Sequence, residues 1–173
     1  MTVTTLPNSL PTGRTVDAGL VDFAGVDGLQ FAIALFGPAA NRIAPFQSMS
    51  VELAGQSGVL LRLCENNFRL RWLGDSDTLL TTLNEQRGDR QLWIRALPWL
   101  GAIAYPSEAI SAVLSRVTPT PPHQIADLSI HRAAVGRVDG RSVLVWMHDR
   151  FESPMLELHA AIAQLPDIAA SLV

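Results

Sequence analysis

Lysine is absent from this 173-residue chain; all thirteen basic residues are arginines. Against sixteen acidic residues they leave a net charge of −3, which removes any electrostatic case for a nucleic-acid partner. The plain source of the arginine bias is genomic base composition, although arginine also binds carboxylates in a two-pronged way and suits protein interfaces. Charge is scarce in general. Only 17% of residues are charged and 48% are apolar, so some apolar surface is expected to be covered by a partner. Cysteine is nearly absent too: Cys64 stands alone, which excludes a disulfide within the chain and fits a reducing, cytoplasmic setting. The first fourteen residues have neither the basic start nor the apolar run of a signal peptide. The apolar run Phe31 to Phe36 is far too short to span a bilayer.

Chemical motifs are missing as well. There is no GxGxxG or phosphate-binding loop, and the glycines are isolated. The four histidines, His123, His131, His148 and His159, show no HxxxH, HxH or HExxH spacing, so no metal site is expected. His148 and Asp149 are adjacent, but neighbours on a strand point to opposite faces. Cys64 sits near a strand end, without a hydrolase signature around it, and reads as a buried structural thiol. Asp75, Asp77, Glu152 and Glu157 fall where helix caps and loops are expected, which accounts for them without catalysis. His159 reads as a solvated or rim residue. No cofactor is implied and the chain is read as a non-enzyme.

What is present is patterning. Met49, Val51 and Leu53 alternate with polar residues; Val59, Leu61 and Leu63 follow after a Gly55–Gly58 turn; Phe68, Leu70 and Trp72 follow Asn66-Asn67. Three alternating runs predict an antiparallel meander with one buried face, and place Arg62, Arg69 and Arg71 on the wetter one. Asp75–Asp77 caps a helix from Thr78 to about Arg87, stopped by Gly88. Gln91–Leu97 reads as a strand and Ser107 to about Val117 as a helix. The prolines of Thr118–Pro122 mark a linker. Residues 125–137 read as extended, and Asp139-Gly140 turns them into a strand over 143–148 that is apolar on both faces. Ser153-Pro154 opens a final helix to about Leu165, with Met155, Leu158, Ile162 and Leu165 on one stripe. For 16–46 a helix ending near Gly37-Pro38 and a short strand both fit.

The expected architecture is a single α+β domain of meander and hairpin strands packed with about three helices. Its parts are a flexible tail at 1–15, a first α+β half at 16–117, the Pro-rich linker at 118–122, and a hairpin with the C-terminal helix at 123–173. The candidate partner-binding residues are Trp99 and Leu100 in a loop-like stretch, Met155, Leu158, Ile162 and Leu165 on the final helix, and Arg62, Arg69 and Arg71 on the sheet.

Asn41-Arg42, the strand pair Val51–Gly55 and Val59–Leu63, the strand Leu92-Trp93-Ile94, the helix around Ser107–Val117 and the closing Leu156–Leu165 helix together resemble a known plan. It is that of the amino-terminal domain of the type III secretion cytoplasmic-ring (sorting-platform) protein, a relative of the flagellar motor switch proteins. The resemblance covers about residues 35–173 and lacks that family's carboxy-terminal surface-presentation domain. It implies a cytoplasmic scaffold or assembly subunit of a bacterial secretion apparatus, bound to other protein subunits in a homo- or hetero-oligomer, among them a separate surface-presentation-domain protein. A dimeric secretion chaperone holding an extended client is the alternative. A small enzyme using Cys64 or a histidine is the second alternative.

Overall fold

Alternation along the strands sets the layers. In the computed structural model, which describes residues 13–16, 19–150 and 153–172, the strands form two antiparallel sheets. The first contains β2 (Leu20–Ala24), β3 (Ser48–Leu53), β4 (Gln56–Cys64), β5 (Asn67–Trp72) and β6 (Trp93–Ala96), in the order β3-β4-β5-β2-β6. The second contains β1 (Arg14–Val16), β7 (Leu100–Pro106), β8 (Thr118–Pro119), β9 (Arg132–Val138), β10 (Arg141–Arg150) and β11 (Ser153–Ala161), in the order β1-β7-β11-β10-β9-β8. Four α-helices are found among the described residues: α1 (Gly28–Phe36), α2 (Ser76–Arg87), α3 (Ile110–Leu114) and α4 (Leu165–Ser171). The class is α+β, but strands dominate more than the expected three-helix picture allowed.

The meander over 48–72 forms where the alternation places it. Ala54 and Gly55 turn β3 into β4 with positive φ at both positions, as the tightest hairpins require. Asp139 and Gly140 do the same between β9 and β10. Asp75 caps α2, its carboxylate accepting the Thr78 backbone N–H at 2.8 Å. The ambiguous stretch after Val16 resolves into β2 and α1. A glycine opens α1 because an added Cβ at Gly28 would fall on the Asn66 carbonyl in the β4–β5 turn.

Each sheet has an outer face under helices. Val21, Phe23, Leu60, Phe68 and Leu70 pack with Phe31 of α1 and Leu79 and Leu83 of α2. Ile103, Tyr105, Val145, Leu156 and Leu158 pack with Val113 of α3 and Ile168 of α4. The inner faces meet each other: Val59 and Leu61 touch Ala133 and Trp146, and Leu20 touches Leu97 and Ala102. The result is four layers, helix–sheet–sheet–helix. Along one edge the sheets are stitched by backbone bonds, Ser48 N–H to the His131 carbonyl and Ala133 N–H to the Phe46 carbonyl, each 2.9 Å.

Three sequence expectations need correction here. The final helix from Pro154 to Leu165 is instead strand β11, followed by a 3-10 turn at Ile162–Gln164 and the short α4. Leu156, Leu158 and Ala160 have strand spacing as surely as Met155, Leu158, Ile162 and Leu165 have helical spacing. Pairing on both sides, to β10 and to β7, decides for the strand. The helix expected over 107–117 is a 3-10 turn followed by the five-residue α3. Cys64 is exposed at the end of β4, not buried. The expected tail falls mostly outside the described residues, but Arg14 and Thr15 pair with Ala104 and Ile103. Thr118 and Pro119 of the Pro-rich stretch pair with Arg137 and Gly136.

Candidate functional site

The seam between the sheets holds a charged cluster. Asn67–Trp72 alternates so that Phe68 and Leu70 face the helices, which turns Arg69 and Arg71 inward toward the second sheet rather than toward water. On β11 the same alternation turns Glu157 and His159 inward. The Arg71 guanidinium donates to both Glu157 carboxylate oxygens at 3.0–3.2 Å and to the Trp72 carbonyl at 3.0 Å. Both side chains are buried, 2% and 0% exposed. Beside them Arg69 donates twice to Asp22, at 2.8 and 2.9 Å.

Two buried histidines flank the carboxylate. His159 Nε2 lies 2.8 Å from Glu157 Oε2, and His148 Nε2 lies 3.6 Å from the same oxygen. The Trp146 ring rests against both imidazoles, and its Nε1–H donates to Ser48 Oγ at 3.0 Å, a second polar tie across the seam. Burial pushes the Glu157 carboxyl up, but the His148 and His159 rings and the Arg71 charge outweigh it and hold the group well below the usual carboxylate range. Burial pushes His159 down, against the pull of Glu157. The cluster is therefore an ionised Arg–Glu pair with a neutral histidine donating to it. Enclosed as it is, it ties the sheets together and offers no approach to a substrate.

Sequence reasoning placed none of this. It assigned Glu157 to a cap and His159 to the rim because it put them on a helix. The available signal was the Glu157-x-His159 repeat at strand spacing between Leu156, Leu158 and Ala160.

The candidate partner-binding residues divide. Trp99 and Ile162 are both half-exposed, at 51%, and the structure brings them together: Ile162 N–H donates to the Trp99 carbonyl at 2.9 Å. Leu100 pairs with Ala161 beside them and is partly buried. Leu158 lies in the core under α3 and α4, Leu165 at the start of α4 faces the same core, and Met155 is partly buried. Arg71 and Arg69 belong to the seam. Arg62 lies apart from both, its guanidinium over the Phe68 ring and bonded to the Ile43, Cys64 and Glu65 carbonyls. His148 and Asp149 do point apart; Asp149 instead meets His131 at 3.2 Å. His123 lines two adjoining open clefts with Gln124 and Asp127, its ring edge-on to Phe46. Among the described residues no group of three or more His, Cys, Asp or Glu is placed to hold a metal ion. No described helix is long and apolar enough to cross a membrane.

No protein-family model matches the chain. No curated protein matches it. Solved structures do match. The glycine cleavage system aminomethyltransferase T from Bartonella henselae is similar over 88% of this chain, with a TM-score of 0.72 and 17% identity. The chain spans only 42% of that protein. A chain of the heterotetrameric sarcosine oxidase from Corynebacterium sp. U-96 is similar over 92% of this chain and 80% of its own length, with a TM-score of 0.65 and 17% identity. At such identity the likeness is one of fold. It overturns the secretion-ring resemblance, and with it the secretion scaffold, the secretion chaperone and a role in protein transport, because the four-layer fold is that of parts of two metabolic enzymes. The order of a few strands and helices carried the earlier resemblance, and one of those elements, the closing helix, is a strand.

Proposed function

We propose that this chain is a subunit of a hetero-oligomeric enzyme that acts on a small amino acid or N-methyl amino acid, and that it contributes to assembly while a partner subunit holds the reacting centre. The observation that carries this reading is the match to one chain of a heterotetrameric sarcosine oxidase across 92% of this chain and 80% of that one. The aminomethyltransferase, by contrast, continues well beyond the matched part. The fold supports the assembly role: the Arg71–Glu157–His159 cluster is closed inside the seam, where it joins the two sheets. An exposed lone thiol, Cys64, suits a cytoplasmic location.

Trp99 and Ile162 are the surface residues we assign to partner contact, where the start of β7 meets the end of β11. Tagged full-length protein recovered from its native host is expected to bring down stoichiometric subunits, and the recovered complex to show sarcosine- or glycine-dependent turnover. Recovery as a lone monomer from cells that retain such activity would overturn the reading. The Trp99→Ala substitution is expected to weaken the complex by about 2 kcal/mol or more, some thirtyfold, as measured by titration of the separated subunits. Its effect on the melting transition of the isolated chain should stay near the noise expected for a surface change, about 0.5 kcal/mol.

A further inference from the structure

Independently of that reading, we propose that His159 is a proton-sensitive latch between the two sheets: neutral, it helps hold Glu157 against Arg71, and protonated, it loosens the seam.

An ionised carboxylate can only accept hydrogen bonds, so the 2.8 Å contact with Glu157 Oε2 requires the proton on His159 Nε2. Any second proton must then go to Nδ1. Nδ1 is buried and has no hydrogen-bond partner among the described residues. Protonation would create an enclosed donor with nothing to receive it, and a second cation on a carboxylate already bound by Arg71. The groups around the ring are Glu157 on its own strand, His148 on β10, Arg71 and Arg69 on β5, and Asp22 on β2, which is committed to Arg69. Across β7 the paired residue is Ala102, which brings no charge. Among the described residues the only anion in contact with His159 is thus shared, and the nearest arginines oppose its charging. Burial lowers the His159 pKa from its ordinary 6.5 in the same sense.

The sign follows. Below about pH 6.5 the unfolded chain takes up a proton at this residue that the folded chain resists. Stability therefore falls as pH drops through this window, and the fall from His159 ends once the folded pKa is passed. Glu157 acts separately and lower, since its folded pKa is depressed: its stabilisation is lost only below the ordinary carboxylate range.

The test is urea unfolding of the full chain from pH 8 to 5, with the His159→Gln variant alongside. Glutamine keeps an N–H donor toward Glu157 and does not titrate. In the wild type the unfolding constant is expected to rise by up to about tenfold per pH unit from this residue, and the variant should lose one proton's worth of that slope. A His123→Gln control should keep it. An unchanged slope in His159→Gln overturns the proposal. Should that variant fail to fold, NMR titration of the wild-type imidazoles decides: His159 staying in the Nε2–H form at pH 6 supports the latch, and ordinary titration near 6.5 overturns it.

Discussion

The Arg71→Met variant is expected to lose about 3–5 kcal/mol of folding stability, read from urea unfolding at neutral pH. Arg71 is the counter-charge of a carboxylate with no solvent access, and it ties β5 to Glu157 through three hydrogen bonds. Removing it leaves Glu157 to choose between an unpaired buried charge and protonation. The double variant Arg71→Met with Glu157→Gln should recover a good part of the loss, because the pair's own desolvation disappears with it. A double variant as unstable as the sum of its parts would mean that the two side chains act separately and that the pair does not hold the seam. The single variant's stability should also improve toward acidic pH relative to wild type, as Glu157 protonates.

Phe23→Ala is expected to cost a similar amount, about 3–5 kcal/mol. Phe23 sits at the centre of the first sheet's outer face, stacked on Phe68 at 5.3 Å and edge-on to Phe31 of α1 at 5.2 Å. Truncation opens a hole between the sheet and α1 that neither ring can fill without leaving its other contacts. With a typical domain stable by about 5–15 kcal/mol, thermal unfolding should begin far earlier in this variant. A loss below about 1 kcal/mol would show that the α1 layer collapses onto the sheet freely. Because Phe23 and Arg71 lie on opposite faces of the same sheet, combining the two variants should give nearly additive losses.

The meander was legible because each strand carries one apolar and one polar set, the pattern that fixes both strand and face. The face itself was misjudged. Arg69 and Arg71 look like a wet side until a second sheet covers them, and the residue that neutralises Arg71 is 86 positions away. Strand β7 was passed over because Leu100–Pro106 is apolar at nearly every position; buried on both faces, it shows no alternation to read. Strand β11 satisfied two periods at once, and only its two strand neighbours distinguish them. The exposure of Trp99 is legible in its proline–glycine setting. Its contact with Ile162 is not, since it depends on β7 and β11 lying side by side.

The strand order has a bearing on how the chain is made. Strand β2 can only be completed when β5 and β6 have emerged, and β7 must wait for β11, some fifty residues later. Until the last strand arrives, β7 and β10 both present bare edges that invite pairing with another chain. The first sheet and its outer core draw only on residues 20–96 and can close early, whereas the second sheet's core and the seam wait for β11. A chain released before residue 153 would lack the strand that sits between β7 and β10, and with it both the second sheet's continuity and the Glu157 side of the seam.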